Sequence, residues 1–126
     1  MSDFLTRWHH AVFQRDAQAL AALLADDVQF YSPVLFKPKQ GKPTVAHILM
    51  TVASVFENFT YHRQWRDGGE LVLEFSAEVA GLKVKGVDII SLNEAEEITT
   101  LEVMVRPANG LMALGEEMAR RLAARP

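Results

Sequence analysis

Asp88 is the residue of this sequence best placed to do chemistry, because it interrupts an otherwise apolar run, Gly86-Val87-Asp88-Ile89-Ile90. A carboxyl enclosed by apolar side chains ionises at a cost. It either stays protonated and donates a hydrogen bond, or ionises and acts as a strong base. The plainer reading is a structural carboxylate satisfied by hydrogen bonds or by an ion pair. Trp8 offers an indole N–H that can only donate, and Ser32 offers a hydroxyl, although a serine before Pro33 commonly just shapes a turn. His9 and His10 are adjacent, so they point in different directions on a helix and lack the i, i+4 spacing of a helical metal site. His47 and His62 read as ordinary polar positions. The expectation is no metal and no cofactor.

The elements that must position these groups follow from periodicity. Phe4, Leu5, Trp8, Ala11 and Val12 recur at helical spacing. Asp16 suits the N-cap of a second helix with Leu20, Leu23 and Leu24 on its apolar face. A short strand, Val28 to Ser32, ends at Pro33, and Pro33 to Lys42 reads as a loop. Gly41 and Pro43 announce a third helix with Val45, Ile48, Leu49, Val52, Val55 and Phe56 in one stripe. The period then changes to two, predicting strands Phe59–Arg66, Glu70–Val79, Leu82–Leu92 and Ile98–Arg106 before a last helix carrying Leu111, Leu114, Met118 and Leu122. The fold class is therefore α+β: three N-terminal helices packed on a curved antiparallel sheet, with a C-terminal helix, in a single domain over residues 1–126.

Turn chemistry predicts which side chains share a face, since residues opposite each other in a hairpin point the same way. A three-residue loop at Asp67-Gly68-Gly69 would pair Arg66 with Glu70, Tyr61 with Phe75, Arg63 with Leu73 and Trp65 with Leu71. A two-residue turn at Ala80-Gly81 pairs Glu78 with Lys83, Phe75 with Gly86 and Leu73 with Asp88. A turn at Ala95-Glu96 puts Ile90 opposite Leu101 and Asp88 opposite Val103. One face then carries Tyr61, Arg63, Trp65, Leu73, Phe75, Ala77, Val84, Asp88, Ile90, Leu101, Val103 and Val105, and the helices must cover it. Arg63 would lie two strands from Asp88, ~10 Å between backbones, within reach of its side chain. The rival reading is a bulge that turns Arg63 out to solvent. The other face mixes charges with Val87, Ile89 and Met104, which predicts a homodimer through that face.

Composition narrows the function classes. The 126 residues include no cysteine, so no disulfide framework, thiol nucleophile or thiolate metal site is possible. Thirteen Lys and Arg against sixteen Asp and Glu give a net charge of -3 without a basic stripe, which argues against nucleic acid. Met1-Ser2-Asp3-Phe4 does not open as a secretion signal, and no apolar stretch is long enough to span a membrane. The expectation is a cytoplasmic protein with no membrane partner.

The order of elements, with the phrases Leu24-Ala25-Asp26-Asp27-Val28, Ser32-Pro33-Val34 and Gly86-Val87-Asp88-Ile89-Ile90, resembles the nuclear transport factor 2-like superfamily. That superfamily includes SnoaL-like cyclases and ketosteroid isomerase. The resemblance implies a cone-shaped barrel enclosing a pocket, and a place for Asp88 where ketosteroid isomerase carries a protonated Asp, one of the pKa-tuning cases of general enzymology. Trp8 stands where that enzyme has its helix Tyr, and Ser32 where it has its Asp base. An unactivated hydroxyl cannot replace a carboxylate as a base toward carbon. Candidate pocket residues are Trp8, Phe30, Ser32, Tyr61, Arg63, Trp65, Phe75, Asp88, Ile90 and Val103. Val34-Leu35-Phe36 reads either as a rim or lid or as ordinary packing. The leading expectation is a protein that binds a small apolar molecule. The alternatives are an isomerase, cyclase or hydrolase using Asp88 as acid or base, and a non-catalytic protein-interaction module whose cone is filled by its own side chains.

Overall fold

A computed structural model describes residues 4–123, so the Met1-Ser2-Asp3 part of the opening segment lies outside the described residues. Helix α1 (Phe4–Phe13) buries Phe4, Trp8 and Ala11, one turn apart on a single stripe. Helix α2 (Ala17–Ala22) is capped as expected: the Asp16 side chain accepts from the Ala19 N–H at 3.1 Å. Strand β1 (Leu24–Tyr31) leads through the short β2 (Lys39–Gln40) into α3 (Lys42–Val55), which carries Pro43 in its first turn. Strands β3 (Glu57–Asp67), β4 (Glu70–Val79), β5 (Leu82–Leu92) and β6 (Ile98–Arg106) follow, and α4 (Ala108–Ala123) closes the chain. The α+β class and the division into three leading helices, sheet and final helix are as the periodicity predicts.

The six strands run in the order β2-β1-β6-β5-β4-β3. One pairing departs from an all-antiparallel sheet: β1 lies parallel to β6. Hairpin logic sees only strands that follow one another, whereas β1 meets β6 across everything between them. At the centre, Gly86 faces Phe75. A side-chain carbon at Gly86 would collide with the Phe75 ring and the Met104 carbonyl, so only glycine lets β4, β5 and β6 curve this closely around that ring.

The helices lie on the concave face over two packed groups of side chains. The larger joins Phe4, Trp8, Leu20, Leu24, Val28, Phe30, Leu49, Leu73, Ile90 and Leu101. The smaller sets Leu114 of α4 against Val55, Ala77, Val79 and Val84. The registers of β4 with β5 and of β5 with β6 are those predicted: Leu73 faces Asp88, Phe75 faces Gly86, Glu78 faces Lys83, and Asp88 faces Val103.

The β3–β4 register differs. Asp67, not Arg66, pairs with Glu70, so the turn holds two residues, and Gln64 and Arg66, not Arg63 and Trp65, face Leu73 and Leu71. A bulge between Tyr61 and Gln64 absorbs the extra residue and restores Tyr61 opposite Phe75. Arg63 and Trp65 therefore lie on the convex face, and their expected places on the concave face are corrected. Among the described residues no helix is long and apolar enough to cross a membrane.

Candidate functional site

A cavity of about 500 Å³ opens between the helices and the sheet. Its inner wall includes Trp8, Leu20, Phe30, Leu49, Tyr61, Asp88, Leu101 and Val103, and Leu114 closes one side. Arg15, Glu57 and Asn58, all exposed, also border it and mark its mouth. The volume suits a small organic ligand, and the wall is largely hydrocarbon and aromatic ring.

Each polar group of the inner wall is fixed by the element that carries it. Trp8 sits on the buried stripe of α1, and its Nε1–H donates to the Tyr61 hydroxyl at 2.8 Å. Tyr61, on the inward side of β3 just before the bulge, donates its own hydrogen to Asp88 Oδ2 at 2.7 Å. An indole N–H cannot accept, so the direction of this relay is set from Trp8 through Tyr61 to Asp88. Oδ1 has no hydrogen-bond partner among the described residues.

Burial pushes the Asp88 carboxyl up to about 7, and the Tyr61 hydrogen bond only partly offsets this. Tyr61 itself is raised well above the ordinary phenol value by burial, then by the Asp88 charge beside it. His9 stacks on the Tyr61 ring at 5.1 Å, and burial lowers its pKa, which favours a neutral imidazole there. Near neutral pH the carboxyl thus divides between an acid that donates from its free oxygen and a carboxylate that accepts there.

The remaining candidates separate cleanly. Phe30 and Val103 line the cavity with Trp8, Tyr61 and Asp88. Phe75 and Ile90 are fully buried but lie outside its wall, Phe75 packing against Phe56 and Phe59. Ser32 is a turn residue: its Oγ accepts from the backbone N–H groups of Val34 and Leu35 at 3.1 and 2.8 Å. Arg63 does not reach Asp88; its guanidinium grips Glu74 with two bonds of 2.7 Å on the convex face. Trp65 is half exposed under the Arg63 guanidinium. The indole N–H of Trp8, expected to be open to a ligand, is taken by Tyr61. Of the Val34-Leu35-Phe36 segment, Val34 rests beside Gly115 of α4 while Phe36 is 98% exposed, and only the preceding Pro33 borders the cavity.

Phe13, Phe56 and Phe59 were not among the candidates, yet all three line the cavity. Phe59 meets Tyr61 edge-on with ring centres 4.9 Å apart. The signal was present in the sequence, since Phe59 lies two residues before Tyr61 on an alternating strand and so shares its face. Among the described residues no group of three or more His, Cys, Asp or Glu side chains could hold a metal ion.

Residues 5–101 match the model of the SnoaL-like domain. The chain belongs to the SnoaL-like domain family. This SnoaL-like domain is 50% identical to a steroid delta-isomerase from Pseudomonas aeruginosa, over 96% of this chain and 90% of that one, with a TM-score of 0.92. A protein from Silicibacter pomeroyi described as having a cystatin-like fold is 36% identical over 98% and 88% of the two chains, with a TM-score of 0.94. A ketosteroid isomerase-like fold from Catenulispora acidiphila, solved in complex with trimethylamine, is similar in fold alone, at 18% identity and a TM-score of 0.68 over 92% and 94%. No curated protein matches the sequence. The cone-shaped sheet with helices on its concave face is that of the nuclear transport factor 2-like superfamily.

Proposed function

We propose that this SnoaL-like domain binds a small, largely apolar molecule, one polar oxygen of which Asp88 Oδ1 holds at the inner end of the cavity. One observation carries this reading. A cavity walled by hydrocarbon and aromatic rings contains a buried carboxyl with one oxygen tied to Tyr61 and the other unpartnered among the described residues. Oδ1 is open to the cavity, so a ligand oxygen that reaches it meets a hydrogen-bonding group with no partner among the described residues. The interaction-module alternative rested on a cone filled by its own side chains, and the cavity withdraws that support.

The test follows fluorescence of Trp8 in a Trp65→Phe background while progesterone, a ketone, and estradiol, a phenol, are titrated in. Saturable quenching is expected, with affinity reduced about tenfold in Asp88→Leu, the loss of one hydrogen bond to a polar group. No saturation with either compound, or equal affinity in Asp88→Leu, would remove the reading.

A second reading has support of its own. A carboxyl near 7 is poised to take and return a proton at neutral pH, and a 50% identical protein is described as a steroid delta-isomerase. In such a reaction the Asp88 carboxylate would remove a proton from carbon beside a ketone and return it to a carbon further along, leaving the carboxylate unchanged. The relay weighs against efficient turnover. The Trp8 and Tyr61 hydrogens are both committed, so the buried wall offers no other donor, among the described residues, for the oxyanion formed midway. Conversion of a β,γ-unsaturated steroid ketone to its conjugated isomer, followed by ultraviolet absorbance and abolished in Asp88→Asn with binding intact, would put this reading first.

The convex face supports self-association. Val87 and Ile89 are half-buried and Met104 is 50% exposed there, around the charged cluster of Glu74, Arg63 and Lys85. A homodimer through this face predicts twice the chain mass in native mass spectrometry, reduced to the chain mass in Met104→Glu.

A further inference from the structure

We propose that the mouth of the cavity binds an anionic group, so that the ligand is an amphiphile with a neutral oxygen at Asp88 and a carboxylate or sulfate at Arg15. The proposal rests on the reading of the cavity as a ligand site and names the class of ligand. It stands on the placement of Arg15. Helix α1 ends in a paired closure in which the Asp16 N–H donates to the Ala11 carbonyl at 3.1 Å and the Arg15 N–H to the Val12 carbonyl at 3.3 Å. This closure requires a left-handed residue, and Arg15 adopts it with φ of 50°. Glycine takes that conformation without penalty, whereas arginine does not.

The same strain recurs across the mouth. Four non-glycine residues have left-handed backbone among those described: Arg15, Asn58, Ala80 and Glu96. Ala80 and Glu96 lie in the tight turns β4–β5 and β5–β6, where the hairpins demand it. The closure of α1 demands it at Arg15 and the irregularity of β3 between Glu57 and Thr60 accommodates it at Asn58, and both residues line the cavity.

Charge supplies the chemistry. The Arg15 guanidinium makes no hydrogen bond or ion pair with any described residue. Asp16, next in the chain, is engaged by the Ala19 N–H and by His10 at 3.4 Å. Glu57 borders the same mouth without pairing with Arg15. A planar cation at the edge of an apolar cavity matches the fork of a carboxylate or sulfate whose hydrocarbon body enters the cavity, and Asn58 borders the same cavity.

The probes are medium-chain ω-hydroxy fatty acids, each compared with the diol of the same length, titrated by calorimetry at slightly alkaline pH. Both carry a hydroxyl for Asp88 and differ only in the charge of the outer end. In the natural chain the acid should bind about tenfold more tightly than the diol, the worth of one charge-assisted pair. Arg15→Gln should abolish or reverse that preference, because Glu57 then dominates the mouth. Arg15→Gly should lose the preference equally while raising the melting temperature, which separates a ligand role from a structural one. Equal affinity for acid and diol in the natural chain, or a preference surviving in Arg15→Gln, overturns the proposal and leaves the cavity reading standing. Failure of both probes to bind any of the three chains overturns the cavity reading and the proposal together.

Discussion

Asp88 and Glu74 occupy neighbouring rows of adjacent strands, are both less than one-tenth exposed, and face opposite sides of the sheet. On the convex side, Arg63 binds Glu74 with two 2.7 Å bonds and Lys85 lies 3.1 Å away. These partners, Arg63 first, hold the Glu74 carboxyl down to about 2. On the concave side, Asp88 has one neutral hydrogen bond and a surround of rings and aliphatic chains, and burial pushes it up to about 7. The sheet thus carries a permanent anion on one face and a switchable acid on the other. Carboxyl groups of nearly equal intrinsic strength acquire different roles from what surrounds them, not from sequence type.

The largest expected effect is on the pH dependence of stability through Asp88. Its folded value lies above the ordinary 3.8, so between about 4 and about 7 the folded chain holds more protons than the unfolded one. Stability should fall as pH rises through that window and level off above it, by about 4 kcal/mol at most. Asp88→Asn removes the ionisation while keeping an oxygen that can accept from Tyr61. The variant should be the more stable chain at alkaline pH and should lose most of that advantage below pH about 4, as urea unfolding across the pH range would show. Parallel curves for the two chains would mean that Asp88 is not desolvated, and the contrast with Glu74 would vanish.

Glu74 should behave in the opposite sense. Its folded value is depressed, so its contribution is present above the ordinary glutamate range and disappears as pH falls toward about 2. Glu74→Gln should lower the melting temperature at neutral pH by less than the Asp88 effect, since Arg63 and Lys85 are half or more exposed and water already screens them. The two chains should converge in acid, and added salt should narrow their difference at neutral pH. A melting temperature unchanged by Glu74→Gln at every pH would show that the cluster orders side chains without stabilising the fold.

How much of this contrast was legible in the sequence depends on one hairpin. Alternation and turn residues locate β4, β5 and β6 to the residue, because their glycine and charge-pair signals agree and each strand shows one face to the core. That is enough to place Asp88 inward opposite Leu73 and Val103. For β3 the periodicity is weaker, since Trp65 and Tyr61 both look like core residues. The two-residue turn and the bulge each shift the strand by one position, so their effects cancel at Tyr61 and persist at Arg63 and Trp65. The sequence therefore suggests an Arg63–Asp88 pair where the fold makes Arg63–Glu74. The Trp8–Tyr61–Asp88 relay was hidden for a different reason, because it joins residues 53 and 27 positions apart through three elements. No local pattern records such a meeting. Phe59, by contrast, is legible from alternation alone, two residues before Tyr61 on β3.

Tyr61→Phe gives the smallest effect and the sharpest view of the inner group. The substitution keeps the ring that packs against Phe59, Phe13 and His9 and deletes only the hydroxyl between Trp8 and Asp88. The Tyr61 hydrogen bond is the influence that lowers the Asp88 value, so its loss should move that carboxyl further above about 7. The cost to stability should be about 1–2 kcal/mol at alkaline pH, where a charged acceptor loses its donor, and less in acid, where the acceptor is neutral. Carbon-13 titration of the Asp88 carboxyl provides the check. An unchanged midpoint in Tyr61→Phe would mean that burial alone sets the acid and that the relay only fixes the direction of Oδ1. A midpoint that falls would mean that water enters the vacated space and hydrates the carboxylate, so the dryness of the inner wall, and with it the contrast to Glu74, depends on the Tyr61 hydroxyl itself.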